Sequence, residues 1–309
     1  MLNEAVVVKA AESAYGRCSF LDLAASANWY LTPQQARLYE KAVSTGEYMR
    51  DVLNSVRSAE EEFLRLWRSL NSSSQSDLTI VDCGPGAHEQ GVSHLLMWQE
   101  SCSLCEYIVI DVNARLLRKA VEVARKHLAC TAKGVRSDFW DLKRDDLRLR
   151  DRSDILFLFG TTGINIDIVE FSSILSNFCL RGDRIALLEI VRKDDDGQQP
   201  SLQGYCSSAV DRFVFEPVRL LGGRRRDFVR AFRYQNGRIE FLFKSRREVE
   251  LDGKVRFRLA RGCSVLTGFS RRPTERELEM TYGEVFENFK SSAVRGGCVA
   301  TIGFWKGKS

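Results

Sequence analysis

The sequence has little of what marks several large classes of protein. Histidine occurs three times, at His88, His94 and His127, with no metal-ligand spacing among them. A zinc site would therefore rest on cysteine alone, and it needs two ligand pairs. Of the nine cysteines only Cys102 and Cys105 stand in a C-x-x-C spacing, and no second such pair accompanies them. An odd, scattered set does not read as a secreted disulfide framework, so ordinary thiols and no bound metal are expected. There are only five prolines, and hydrophobic residues make up 44% and charged residues 28% of the 309, the composition of a folded chain rather than a disordered one. No apolar run approaches the roughly 20 residues that a membrane span requires. The opening MLNEAVVVKAAESAYG lacks a basic start followed by an apolar core and a cleavage site. A cytoplasmic protein with no membrane partner is expected.

Charge of one sign is also scarce. The net charge of +5 is modest for this length, which gives no general footprint for nucleic acid. One segment is locally basic: GGRRRDFVRAFRYQNGRIEFLFKSRR, residues 222–247, with aromatics interleaved. Such a pattern fits RNA contact, and it also fits amphipathic strands with one solvated face. The second reading is preferred, so no nucleic-acid partner is expected.

Two helices are predicted over residues 31–70, the second carrying Val52, Leu53, Val56, Phe63, Leu64, Trp67 and Leu70 near helical spacing. A polar linker, NSSSQSD at 71–77, precedes short apolar runs that alternate with amphipathic segments: LTIVD, VSHLLMWQE, YIVIDV, NARLLRKAVEVARKHLA, a short strand near KGVRSDF, DILFLFG, IDIVEFSSILSNF and RIALLEIV. This alternation predicts a doubly wound α/β domain with a mostly parallel sheet. It breaks at KDDDGQQPSLQG, residues 193–204. A helical YCSSAVDRFVFEPVRLL and β-like runs around IEFLFKS and KVRFRLA follow, as an inserted unit. The chain then closes with RPTERELEMTYGEVFENF as helix and CVATIGFW as a last strand.

The stretch IVDCGPGAHEQG, residues 80–91, forms the first turn of the α/β unit. Ligands of such sheets lie beyond the carboxyl ends of the strands, where the turn must let a cofactor approach the backbone; Gly84 and Gly86 supply that access. A dinucleotide fingerprint wants a third glycine where Glu89 stands, and no G-K-[ST] follows. A carboxylate near a pyrophosphate is unfavourable, so a nucleoside without phosphates fits better. S-adenosylmethionine is such a ligand. Asp82 and the two glycines form a D-x-G-x-G turn; Asp111, ending YIVID, is placed to accept from ribose hydroxyls; Asp138 and Phe139 in SDFWDL suit the adenine amino group and ring. The alternative is that Asp82 and Asp111 simply cap turns.

Further stretches carry a resemblance. LFLFGTTGINID is similar to the LFLGSTIGN segment of the histidine-specific N-methyltransferase family, the class that makes trimethylhistidine on the ergothioneine pathway. NWYLT with EYMR resembles the family's FYD and EYY pair; YIVIDVN its YVPFDVS; RAFRYQNGRIEF its RAFYNEEEGRIEM; and GCSVLTGFSRRPT its GESIHTEYSYKYS. The match is collinear from about residue 28 to 309. It implies a divergent member: a class I methyltransferase, Rossmann-like core at 58–197 plus 271–309, and an inserted α+β substrate-binding domain at 1–57 plus 198–270. By position it also implies Asn165 at the α-amino group, Tyr30 from the FYD motif, Tyr205 at the carboxylate, and Tyr48 near the EYY tyrosine. Ordinary packing with a wet hydroxyl is the alternative for the tyrosines.

Where the family grips imidazole with E-x-S, this sequence has Gly268, Phe269 and Ser270, and no acidic residue lies between Asp252 and Glu275. A site built on a buried polar match loses discrimination heavily without it. Gly268 frees volume and Phe241 replaces a family methionine, so a bulkier apolar or aromatic amino acid is expected in place of histidine. The leading expectation is an S-adenosylmethionine-dependent methyltransferase of a small amino acid-like substrate, in secondary metabolism. Two others remain: attack on the cofactor's γ-carbon, releasing methylthioadenosine, and an RNA-binding protein on a degenerate nucleotide fold.

Overall fold

The computed structural model describes residues 9–12, 18–24, 32–45, 47–70, 77–86, 92–149, 154–160, 166, 168–191, 205–235, 237–252, 256–294 and 297–307; for 9–12, 18–19, 45, 47–57, 92–94 and 190 it describes the backbone alone. The chain divides into two compact units, Met1–Met49 with Gln198–Arg272, and Arg50–Gly197 with Pro273–Ser309.

The second of these is built on a seven-stranded sheet. Its strands are β3 (Leu78–Cys83), β4 (Leu104–Ile110), β5 (Thr131–Val135), β6 (Asp154–Gly160), β7 (Arg184–Ile190), β12 (Phe286–Val294) and β13 (Cys298–Trp305). They lie in the order β12-β13-β7-β6-β3-β4-β5. From β7 to β5 all neighbours are parallel, whereas β13 runs antiparallel to both β7 and β12. This is a Rossmann-like, doubly wound sheet. Side-chain alternation explains both covered faces. Ile80, Tyr107, Val109, Leu156, Leu158, Ala186 and Leu188 face helices α2 (Glu47–Leu70), α3 (Val92–Ser101) and α4 (Ala114–His127). Val81, Cys83, Ile108, Ile110, Phe157, Phe159, Ile185 and Leu187 face α5 (Arg144–Leu147), α6 (Ile168–Phe178) and α8 (Glu275–Val285). The strand order reverses between β3 and β6, which opens a crevice at their carboxyl ends.

The first unit holds a sheet of β1 (Lys9–Glu12), β2 (Cys18–Asp22), β8 (Phe228–Gln235), β9 (Arg238–Ser245), β10 (Val249–Asp252) and β11 (Arg256–Arg271), in the order β1-β2-β11-β9-β8 with β10 on β11. Helix α7 (Ser208–Leu220) starts where the Ser207 hydroxyl accepts from the Val210 N–H at 3.2 Å, a side-chain cap of the kind that stabilises helix starts. Phe215 of α7 packs edge-on to Phe243 of β9 at 4.9 Å, and Tyr39 of α1 (Pro33–Thr45) meets Phe213 at 5.5 Å. The apolar side of this small sheet is thus closed by α7, and α1 lies on α7.

Several expectations change. The final helix ends at Val285, and FENF does not continue it: Phe286 begins β12. Strands β1 and β2 had no sequence signal. The basic segment is mainly strand, as preferred, and several of its arginines are ion-paired: Arg225 with Asp211, Arg233 and Arg238 with the buried Glu240, and Arg247 with Asp227. The eight described cysteines are free thiols, and the Cys105 thiol donates to the Leu78 carbonyl at 3.3 Å. Among the described residues no helix is long and apolar enough to cross a membrane.

Gly303 of β13 marks where β12 packs tightest. A β-carbon there would stand 2.7 Å from Phe286 Cβ and 2.9 Å from Phe289 Cβ, closer than packed carbons approach. Gly303→Ala is expected to cost about 1–3 kcal/mol through overpacking, read as a lowered urea midpoint. An unchanged midpoint would contradict this packing.

Candidate functional site

The glycine turn follows β3 at the reversal of strand order. Gly84 and Gly86 hold φ of 72° and 75°, a left-handed region that residues with a β-carbon adopt only at a cost. The Gly84 N–H donates to the Ile110 carbonyl at 2.8 Å, so the turn is tied to the end of β4. Residues 87–91, including Glu89, lie outside the described residues.

Asp82 shares the face of Ile80, and the Tyr107 hydroxyl on β4 donates to its Oδ2 at 2.5 Å. Burial pushes the Asp82 carboxyl up to about 7; the Tyr107 bond opposes this, and the neighbouring Asp111 charge adds to it. Asp111 sits just past β4 and is 6% exposed; its Oδ1 accepts the Asn113 N–H at 2.7 Å. Burial pushes it too up to about 7. The capping alternative thus holds in part for Asp111, whereas Asp82 is bonded to a phenol across the sheet. A third carboxyl joins them. Glu60 on α2 accepts from Trp98 Nε1 on α3 at 3.1 Å, and burial, with Asp82 nearby, carries it up to about 7. Asp138 and Phe139 follow β5, the Asp138 Oδ1 accepting the Trp140 N–H at 3.3 Å and the Phe139 ring meeting Phe159 of β6 edge-on at 5.9 Å. The six residues expected around a cofactor therefore stand at or just after the carboxyl ends of three adjacent parallel strands, β3, β4 and β5.

Desolvation raises all three carboxyls to about 7, which makes each costly to charge. A cation brought there would favour their ionised forms and remove the cost of charging them. Glu60 and Tyr107 were not singled out from the sequence. A signal existed for Glu60: it stands three, four and seven residues before Phe63, Leu64 and Trp67, so it belongs to the apolar stripe of α2.

The other unit holds Tyr205, Phe241, Gly268 and Ser270, four of the residues expected at the acceptor. Thr267 is the extra residue of a bulge in β11, which brings Gly268 opposite Phe241 of β9. Bulges of this kind re-aim the side chains beyond them. The Tyr205 ring lies 5.0 Å from Phe241 and 6.5 Å from Phe232, and Phe232 meets Phe241 at 6.0 Å. Beside this cluster is Arg272, 5% exposed, which sequence reasoning passed over. Its Nη1 donates to Ser270 Oγ at 2.6 Å and its Nη2 to the Tyr205 hydroxyl. The period-two spacing of 268, 270 and 272, the last just past the end of β11, was the available signal. Arg230, whose guanidinium burial holds below its ordinary value, donates to the Tyr205 carbonyl at 2.5 Å. Tyr30 and Asn165 lie outside the described residues. Tyr48 stands on α2, and its side chain is likewise outside them.

No family model matches this chain, and no curated protein sequence matches it. Solved structures do. The chain is similar to the PH0226 protein from Pyrococcus horikoshii OT3, with 13% identity, 89% of this chain and 100% of that one covered, and a TM-score of 0.47. It is similar to a putative methyltransferase from Thermobifida fusca YX, with 11% identity, 89% of each chain covered and a TM-score of 0.46. It is also similar to geranyl diphosphate C-methyltransferase from Streptomyces coelicolor A3(2), crystallised with S-adenosyl-L-homocysteine, at 10% identity, covering 79% and 77%, with a TM-score of 0.40. The strand order defines the fold of this protein independently of these likenesses.

The buried carboxyls give a pH signature with a definite sign. A carboxyl that holds its proton more tightly in the folded state adds stability below its unfolded pKa, and that stability is lost as pH rises through the folded value. For Glu60 this window runs from 4.5 to about 7. The ligand-free protein should lose stability from pH 5 to pH 8, and Glu60→Gln should lessen that loss in chemical denaturation. An identical loss in the variant would contradict the placement of Glu60.

Proposed function

We propose that this protein is an S-adenosylmethionine-dependent methyltransferase acting on the α-amino group of a small amino acid or amino acid-derived metabolite with an apolar or aromatic side chain, and not on histidine. The observation that carries the reading is the set of desolvated carboxyls, Asp82, Asp111 and Glu60, beside a left-handed glycine turn at the reversal point of a parallel sheet. A nucleoside bearing sulfonium and ammonium charge matches that set, and a phosphate-bearing nucleotide does not.

Bound there, S-adenosylmethionine would supply an electrophilic methyl group, which the amine lone pair takes as the carbon–sulfur bond breaks, leaving S-adenosylhomocysteine and a proton. Asp111 would accept from the ribose hydroxyls, its remaining acceptor capacity lying beside the Asn113 bond. Gly84 and Gly86 would let the ligand approach the backbone. Asp82, fixed by Tyr107, would face the cationic tail. Asp138 and Phe139 would meet the adenine. In the other unit Tyr205, Phe241, Gly268 and Ser270 would bind the acceptor, with Tyr30, Tyr48 and Asn165 orienting its amine as the family resemblance implies. Positioning is the main lever available to such a reaction, since effective molarities of roughly 10⁵–10⁸ M follow from orientation alone. The aromatic cluster of Tyr205, Phe232 and Phe241, with glycine where the family has glutamate, supports the apolar acceptor. The ion-paired arginines of residues 222–247 weigh against the RNA-binding alternative.

Incubation with S-adenosylmethionine and pooled amino acids, followed by mass spectrometry, should yield S-adenosylhomocysteine and an acceptor heavier by whole methyl groups. Asp111→Ala should weaken cofactor binding roughly 10- to 100-fold through loss of charge-assisted hydrogen bonds. Release of methylthioadenosine, or no cofactor consumption with any acceptor, would contradict the reading.

A further inference from the structure

Helix α8 and the edge hairpin of β12 and β13 enclose a cavity of about 140 Å³. Residues two apart on a strand share a face, so Val299 and Thr301 of β13 turn toward α8, while Ala300 and Ile302 belong to the opposite side of the sheet. Leu278 of α8, Phe289 of β12 and Val299 give the cavity an apolar lining. Thr301 interrupts it. This residue is 1% exposed, and its Oγ1 is buried with no hydrogen-bond partner among the described residues. A buried hydroxyl left unpaired is costly, and native structures leave few of them. The cavity that Thr301 lines is the place from which a partner can come. Charge at this cavity has one sign. Glu275 and Glu279, one turn apart on α8, both line it, and among the described residues neither carboxylate has an ion pair. Like charges at that spacing repel. Tyr282, on the same face of α8, donates its hydroxyl to the buried Glu189 at 2.6 Å, which sets a third carboxyl behind the wall. No basic side chain lines the cavity, although the whole chain carries a net charge of +5.

We propose that this cavity binds a small primary amine in its ammonium form, with a compact apolar body against Leu278, Phe289 and Val299. An ammonium has three N–H donors, enough for the Thr301 oxygen and for both glutamates. Its charge relieves the repulsion between the carboxylates, and hydrogen bonds assisted by charge are about twice as strong as neutral ones. The volume sets the size of the body, since an apolar cavity of about 150 Å³ holds a benzene ring. An inorganic cation would leave the apolar lining unused, and no cluster of metal-ligating side chains occurs among the described residues. Strand β13 lies three strand spacings from β3, roughly 14 Å at the usual separation, so this cavity stands apart from the glycine turn. The inference goes beyond the proposed function and does not depend on it.

The test is saturation-transfer NMR titration of the full chain, at low salt and neutral pH, with benzylamine and isobutylamine, each against its alcohol. At least one amine should bind about five- to tenfold more tightly than the matching alcohol. Replacing both carboxylates, Glu275→Gln with Glu279→Gln, should bring that ratio close to one. Ala293 is exposed and lines the same cavity, so Ala293→Phe should block it and remove amine binding. Thr301→Val should weaken the amine several-fold and, because it removes an unpaired buried hydroxyl, raise the urea midpoint of the ligand-free protein. Thermal unfolding checks that each variant is folded; if Ala293→Phe is not, the double glutamine variant decides. Binding of neither amine, equal binding of amine and alcohol, amine binding that survives in folded Ala293→Phe, or an unchanged ratio in the double glutamine variant would overturn the proposal. A lowered or unchanged midpoint in Thr301→Val would overturn it as well, since the hydroxyl would then already have a partner.

Discussion

A carboxylate placed inside an apolar sheet is costly to charge, and Asp82 is held in that position by the hydroxyl of Tyr107 on the neighbouring strand. The alternation of β3 makes this unavoidable: with Val81 and Cys83 committed to one apolar face, Asp82 must share the other with Ile80. Helices α2 and α3 cover that face, and they bring Glu60 and Trp98 to the same place. Asp111, at the end of the next strand, completes a set of groups that burial pushes up to about 7. Protein interiors tolerate such groups when they stay protonated or when a cation meets them. The fold therefore gathers, at the end of its central strands, carboxyls that are costly to charge, and a cationic ligand such as the proposed cofactor would lower that cost.

Much of this arrangement was legible in the sequence because it follows from local periodicity. Alternating strand and helix patterns gave the parallel sheet, and D-x-G-x-G with acidic residues at successive strand ends gave the turn. What escaped depends on partners distant in the chain. Glu60 sits in the run Glu60-Glu61-Glu62, and only the packing of α2 decides which of the three turns inward. Strand β12 follows α8 without a break, and its edge position leaves most of its residues partly exposed. FENF therefore keeps enough apolar spacing to read as one more helical turn. Strands β1 and β2 are four and five residues long, too short for a period to register.

The residues expected at the acceptor were legible in a different way. Composition and spacing alone would have left Tyr205, Phe241, Gly268 and Ser270 as packing residues; a collinear resemblance singled them out, and in the structure they stand together in one unit. The same resemblance could not supply Arg272, because its importance comes from the bonds it makes to Ser270 and Tyr205. The two units thus differ in chemistry: desolvated carboxyls in one, a desolvated guanidinium bonded to two hydroxyls in the other.

The claim that the carboxyls await a cation is tested most directly by counting protons. Calorimetric titration of the protein with S-adenosylmethionine near pH 6.5, in two buffers of different ionisation enthalpy, measures the protons exchanged on binding. Because burial holds these carboxyls partly protonated at that pH, binding of the cationic nucleoside is predicted to release protons to the buffer. Binding with no release, or with proton uptake, would contradict the account.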